Sequence, residues 1–288
     1  MKNVCPTIWS NFLQTNHHLD LPFVLPEKST MNERLNIQAS AALSLGEKPG
    51  MKVLVIGNGG HRAVTGGDGF PLIDIIDHEA DHASPYNPIP FVLRNIDDDL
   101  TAGERANYAL RTEVTIDGIN YIAYYGKRIN LNDVTVEIKK TIVEDGVSST
   151  APYVTSNANL YPTAPELSVN GTVTTSGEYL STSAILSVPF TENDVAELVN
   201  VARIMYNDER YAVISEMCFC TAVDRTVSIS TLNGQVNFRE VVGCQVATFV
   251  GCHYEMLFNS KGFDFRIETG VVEPMLGAAE ITTAVVSG

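Results

Sequence analysis

The sequence predicts a mainly β protein: a β-rich α+β chain with an antiparallel sheet or sandwich core, two or three short helices and extended arms. Three observations carry this expectation. Beyond Ile89 the apolar residues alternate with polar ones or gather in short β-branched and aromatic stretches, as in Tyr121-Ile122-Ala123-Tyr124-Tyr125. Tight-turn dipeptides such as Asp117-Gly118 and Asn233-Gly234 separate such stretches at hairpin spacing. A 3.6-residue apolar period, by contrast, is confined to a few short segments.

Taken in order, residues 1–52 read as an N-terminal extended arm with a short helix, and residues 53–288 as a β-rich core. The arm scatters Trp9, Phe12, Leu19, Leu21, Phe23 and Leu25 among polar residues, with Pro22 and Pro26 opposing regular structure. Thr30-Met31-Asn32-Glu33 is a capping box. Met31, Leu35, Ala39, Ala42 and Leu43 follow it, and Gly46 is a natural stop, so a helix of about four turns is expected. Met51 to Ile56 is a strand candidate, followed by the glycine-rich Gly57-Asn58-Gly59-Gly60-His61-Arg62. Ile89 to Arg94 opens the β region, and Asp97-Asp98-Asp99 reads as an acidic turn leading into a short capped helix over Leu100 to Arg105. A hairpin is expected about Asp117-Gly118, then a strand over Val134 to Val143. Near 148–177 lies a Ser/Thr/Asn/Pro-rich loop excursion anchored by Tyr153, Leu160, Tyr161 and Leu167. Thr191 to Asp194 then caps a helix whose Val195, Leu198, Val199, Ala202, Met205 and Tyr206 share one face. Tyr211 to Cys220, Thr226 to Ser230, Val241 to Tyr254 and Phe263 to Glu268 complete an antiparallel run of four strands.

The chain has 288 residues and is 44% hydrophobic, with a mean hydropathy of +0.03, enough for a core without staples. Charged residues make up 18%, below the ~25% of an average soluble domain, which suggests surface covered by sister subunits. A net charge of −15 opposes unaided binding to nucleic acid or to an anionic membrane, so neither is expected as a partner. Cys5, Cys218, Cys220, Cys244 and Cys252 are odd in number and lack C-x-x-C spacing, as expected of buried free thiols in a reducing compartment. The N-terminus lacks a signal-peptide core and no apolar run reaches the roughly 18 residues of a membrane span, so a soluble chain made in the cytoplasm is expected.

Candidate chemistry is sparse. The strand-then-glycines order at Gly57 invites a dinucleotide reading, but the third glycine of the fingerprint would fall at Arg62 and the chain continues as loop. A long turn, or an arm touching another subunit, fits better. His78-Glu79-Ala80-Asp81-His82 matches H-E-x-x-H, which on a helix would present two imidazoles to zinc and Glu79 as general base. The β-branched, acidic Ile73 to Asp77 before it and Pro85 and Pro88 after it oppose that helix. His253 is the one later histidine, so an exposed polar turn is the favoured reading. Asp97-Asp98-Asp99 lacks the spacing and glycine of a calcium loop. Asp208, Glu209, Asp224 and Arg225 are expected in salt bridges. No catalytic residue, cofactor-binding residue, cofactor or metal ligand is assigned. The candidates for core or interface packing are Trp9, Phe23, Phe91, Tyr121, Tyr124, Tyr125 and Tyr161.

Pro90-Phe91-Val92-Leu93-Arg94, the acidic turn with Leu100 to Ala106, and Tyr121 to Tyr125 together resemble tailed-bacteriophage virion structural proteins. Further similar segments are Asn207 to Glu216, Val223 to Thr226 and Val272 to Leu276, so the resemblance covers about residues 89–276. It implies a non-enzymatic subunit of a phage particle, in the neck or collar at the head-tail connection, made in the host cytoplasm and residing in the virion. The implied partners are copies of itself in a ring and other virion proteins of the connector, tail or capsid. Capsid decoration, tail and baseplate roles are the alternatives, and a zinc hydrolase built on His78 to His82 is a more distant one.

Overall fold

A computed structural model describes residues 3–67, 69, 71–144, 146–163, 177–231, 234–257 and 261–275. It is mainly β, with antiparallel pairing in every sheet of the described residues. The chain forms two compact units, Met1–Asn130 with Val188–Phe265, and Leu131–Ser187 with Arg266–Gly288. The division therefore does not fall after residue 52: the N-terminal segment is part of the first unit, and the segment after Asn130 leaves to make the second.

In the first unit the chain runs through β1 (Asn3–Pro6), α1 (Ile8–His18), α2 (Met31–Leu35), β2 (Gly50–Gly57), β3 (His61–Thr65) and β4 (Pro71–Ile75). It continues through β5 (Pro88–Ile89), β6 (Val92–Asn95), α3 (Ala102–Arg105), β7 (Tyr108–Ile116) and β8 (Ile119–Arg128). The second unit holds β9 (Glu137–Glu144), β10 (Val147–Pro152), α4 (Asn157–Leu160) and most of β11 (Glu178–Phe190). Back in the first unit come α5 (Glu192–Tyr206), β12 (Val213–Thr231) and β13 (Gly234–Met256), and β14 (Phe263–Pro274) returns to the second.

The main sheet follows the order β1-β13-β12-β2-β8-β6, with β5 on β2 and β7 on β8. Strand β2 lies in its middle, and Val53, Leu54, Val55 and Ile56 are all fully buried, so both faces of the sheet are covered there. One core cluster joins Val53 and Val55 to Met31 of α2, Leu110, Tyr125, Val201 of α5, Cys218, Cys220, Val246 and Phe249. The hairpin β7–β8 turns at Asp117 and Gly118, both at positive φ (50° and 79°), the geometry that dipeptide suits. Helix α5 begins at a complete Thr191–Asp194 capping box and buries Val195, Leu198, Val201 and Ala202.

Three sequence expectations are corrected in this unit. The arm contains a helix of its own, α1, whose cap Thr7 accepts a hydrogen bond from the Ser10 amide. The Thr30 capping box is present, but α2 ends at Leu35 because Asn36 (φ 54°) and Gln38 (φ 46°) turn left-handed. Buried Asn32 enforces this, donating to the Ile37 and Val241 carbonyls and accepting from the Cys244 amide. The strands expected at Tyr211 to Cys220 and Thr226 to Ser230 are one strand, β12, bent by register shifts along β13. The Asn233 turn and the anchor Leu167 lie outside the described residues.

The aromatic candidates separate by burial. Phe23, Phe91, Tyr124 and Tyr125 are buried, Trp9 and Tyr121 are half-buried, and Tyr161 is 76% exposed. Tyr124 donates its hydroxyl to Asp99 (2.6 Å), the last residue of the acidic turn, and Asp99 also pairs with Arg105 (3.1 Å). The Thr101–Glu104 capping box starts α3 as expected. In the second unit, β9, β10, β11 and β14 form a four-stranded sheet: β9 is the strand expected within Val134 to Val143, and part of the predicted excursion is β10 and α4.

The expected salt bridges form, and Asp224 is their hub. Its carboxylate meets Lys52 of β2 (2.9 Å), Arg128 of β8 (2.6 Å) and Arg239 of β13 (2.8 Å). Burial raises its pKa, but hydrogen bonds from Lys52, Arg239 and Arg128 outweigh that and hold it at about 2. A depressed carboxylate contributes stability above its unfolded pKa of 3.8 and loses it as pH falls through about 2. Solvent screening of this partly exposed cluster reduces the contribution to on the order of 1 kcal/mol. Urea unfolding should show Asp224→Asn less stable than wild type near about pH 6, with the gap closing toward about pH 2. A gap independent of pH would refute the charge hub.

Candidate functional site

The chemistry-bearing side chains converge on one buried carboxylate, Glu216 of β12. Apart from Ser215 strand β12 is apolar here, and its register shifts between Ile214 and Glu216, a bulge that re-aims the side chains. Glu216 lies opposite glycine on both sides, Gly57 of β2 and Gly251 of β13, and is fully buried. A Cβ at Gly57 would collide with the Glu216 side chain, and one at Gly59 with the Asn87 backbone. The glycines allow the approach.

Both carboxylate oxygens are satisfied. Oε1 accepts from the amides of Gly59 (3.0 Å) and Asn87 (3.1 Å), and Oε2 accepts from the Tyr86 amide (3.0 Å) and from Nε2 of His78 (2.9 Å). A carboxylate gripped by backbone amides and an imidazole is the arrangement that makes a buried charge tolerable. The glycine run that resembles a phosphate cradle thus cradles the protein's own anion.

His78 is correspondingly fixed. Its ring stacks on Phe249 (3.8 Å, 8°) and on Tyr86 (4.5 Å, 21°). Nδ1 faces Nδ1 of His82 at 3.1 Å, and that nitrogen also faces the Glu79 amide at 3.3 Å. Around them the 76–87 segment is pinned from several sides. Trp9 Nε1 donates to the His82 carbonyl (3.0 Å), Ile8 N to Ala80 O (2.8 Å), Ile76 N to Gly60 O (3.0 Å) and Tyr86 OH to Asp77 O (2.8 Å). Beside it, His61 Nδ1 lies 2.9 Å from Ser215 Oγ, which accepts from the Gly60 amide. Burial lowers the His61 pKa, and the Glu216 charge opposes this.

The H-E-x-x-H segment is therefore neither of the things its sequence suggested. It is not helical, so the i, i+4 geometry of a zinc helix is not formed, and it is not an exposed polar turn, since His78 is buried. Both His78 nitrogens face protein partners. Glu79, Asp81 and His82 bring one potential ligand atom each within 4.8 Å of one another, but both carboxylates are exposed, and no further ligand joins them among the described residues. The cysteines are free. Cys218, Cys220, Cys244 and Cys252 are buried, and burial pushes the Cys218 and Cys220 thiols well up, which suppresses thiolate chemistry.

A family match spans residues 1–284. The chain belongs to DUF7208, a family of unknown function. No curated protein and no solved structure matches it. Among the described residues, no helix is long and apolar enough to cross a membrane. What this DUF7208 chain offers for interpretation is thus its own geometry, and that geometry spends Glu216 and His78 on each other and on backbone amides.

Sequence reasoning passed over Glu216, Ser215 and His61. The available signal was a lone acid inside the apolar run from Tyr211 to Cys220, which demands a buried partner. Replacing Glu216 with Ala would strand His78 and three amides, and should cost about 3–5 kcal/mol of unfolding free energy in urea. A loss below about 1 kcal/mol would show the carboxylate to be dispensable for the fold.

Proposed function

We propose that this protein is a structural subunit of a tailed-bacteriophage virion, forming a ring in the neck or collar and acting by assembly rather than by catalysis. The observation that carries the assembly reading is how little apolar surface the described residues of the second unit bury. Of its apolar residues only Leu186 is buried among those described. Val136, Val147, Val154, Leu160, Tyr161 and Val272 are each more than 60% exposed. A sheet with so little apolar burial needs another surface for its stability, and sister copies are the simplest supply. The low charged fraction fits surface that is covered in an assembly. The phage and neck assignments rest on the resemblance over residues 89–276, and capsid decoration, tail and baseplate positions share this chemistry. The partners would be copies of itself and neighbouring connector, tail or capsid proteins, in the virion. The zinc-hydrolase alternative loses its footing where His78 to His82 fail to form a helix.

Light scattering on the purified chain should give one defined high-order oligomer, and purified particles should contain the protein in stoichiometric copy number. The double change Val147→Glu and Val271→Glu should leave monomers whose first unit is still folded. A wild-type chain that stays monodisperse and monomeric and never enters particles would overturn the proposal.

A further inference from the structure

We propose that a cleft beside α2 receives the Ile96-Asp97-Asp98 tip of a second copy of this chain. The inference rests on the assembly reading above and names one of its contacts. The cleft has a volume of about 500 Å³ and is lined by Lys28, Thr30, Arg34, His82, Pro85 and Tyr86, among others. Its charge is unusual for this protein. Every described lysine and arginine from Lys48 to Arg239 stands within ion-pair distance of a carboxylate. Lys28 and Arg34 have no such partner among the described residues, and the one acid in the lining, Glu33, has its carboxylate occupied by the Lys28, Ser29 and Thr30 amides and the Thr30 hydroxyl. Two unpaired cations therefore share one concave site on a chain of net charge −15.

The tip that follows β6 is its complement. Asp97 and Asp98 are exposed and have no ion-pair partner among the described residues, and Ile96 beside them is 41% exposed. Two adjacent carboxylates match two cations, and the Ile96 side chain matches the apolar lining of Ala83, Pro85 and Tyr86. The tip is also preformed: Asn95 accepts from the Asp97 amide through Oδ1 (3.0 Å) and from the Asp98 amide through its carbonyl (3.0 Å), and Ile96 N donates to Asn120 O (3.2 Å). A turn already held in shape loses little entropy on docking. Exposed ion pairs alone contribute little, so the apolar insertion is required beside them. Since tip and cleft lie in the same unit of every copy, the contact can repeat head to tail and close a ring.

The test uses the full chain in sedimentation velocity with two charge reversals, Lys28→Glu with Arg34→Glu, and Asp97→Lys with Asp98→Lys. Each variant should keep its first unit folded by near-UV circular dichroism yet assemble more than about tenfold more weakly. Mixing the two should restore assembly, because acidic tips then meet basic clefts and basic tips meet acidic clefts. Assembly that survives either reversal, or two folded variants that fail to rescue each other, overturns the contact. If only the Lys28 and Arg34 reversal disrupts assembly, another acidic group fills the cleft and the tip assignment falls. A wild-type monomer would remove the assembly reading together with the contact, whereas normal rings from the variants remove the contact alone.

Discussion

A carboxylate with no access to water is the constraint around which the first unit is arranged. Placing Glu216 inside the main sheet costs several kcal/mol unless donors replace the lost water. Those donors come from two separate stretches, the Gly57 to Gly60 turn and the 76–87 segment. Neither stretch belongs to the main sheet along most of its length. This anion ties both to β12, and Ser215 Oγ adds a second tie for the glycine turn. Glycine opposite Glu216 on β2 and on β13 leaves the space, and the stacking of His78 between Phe249 and Tyr86 fixes the imidazole donor. The same pattern that looks like a nucleotide turn and a zinc motif is the cost of burying one charge, met from within the chain.

The two units contrast in how they bury apolar surface. In the first, a central strand is covered on both faces and ion pairs such as Arg94 with Glu197 tie α5 to β6. In the second, most of the described valines, leucines and isoleucines are exposed. The proposed assembly would give the second unit the apolar burial that its described residues lack, while the first unit supplies its own.

Local signals in the sequence were legible where local physics decides the outcome. The capping boxes at Thr30, Thr101 and Thr191 and the Asp117-Gly118 turn lie where they were read, because each is built within a few residues. The length of α2 was not legible: its apolar period continues past Leu35, but Asn32 is committed to Val241 and Cys244, contacts more than 200 residues away in sequence. Helix α1 was hidden because Thr7 caps it without an acidic partner three residues on, and its apolar residues sit among polar ones. The site itself depends on a pairing across 138 residues between His78 and Glu216, and no spacing rule reports such a contact. Only the oddity of a charge inside an apolar strand pointed to it.

Amide hydrogen exchange, read residue by residue, tests this most directly. If Glu216 organises the unit, the amides of Gly59, Tyr86 and Asn87 are protected in the wild type. In Glu216→Ala, which removes both acceptor oxygens, those three exchange rapidly as a group, while the amides of β12 and β13 away from the site, such as Val227 and Phe238, keep their protection. Rapid exchange of the three amides in the wild type, or protection unchanged by the substitution, would contradict the account.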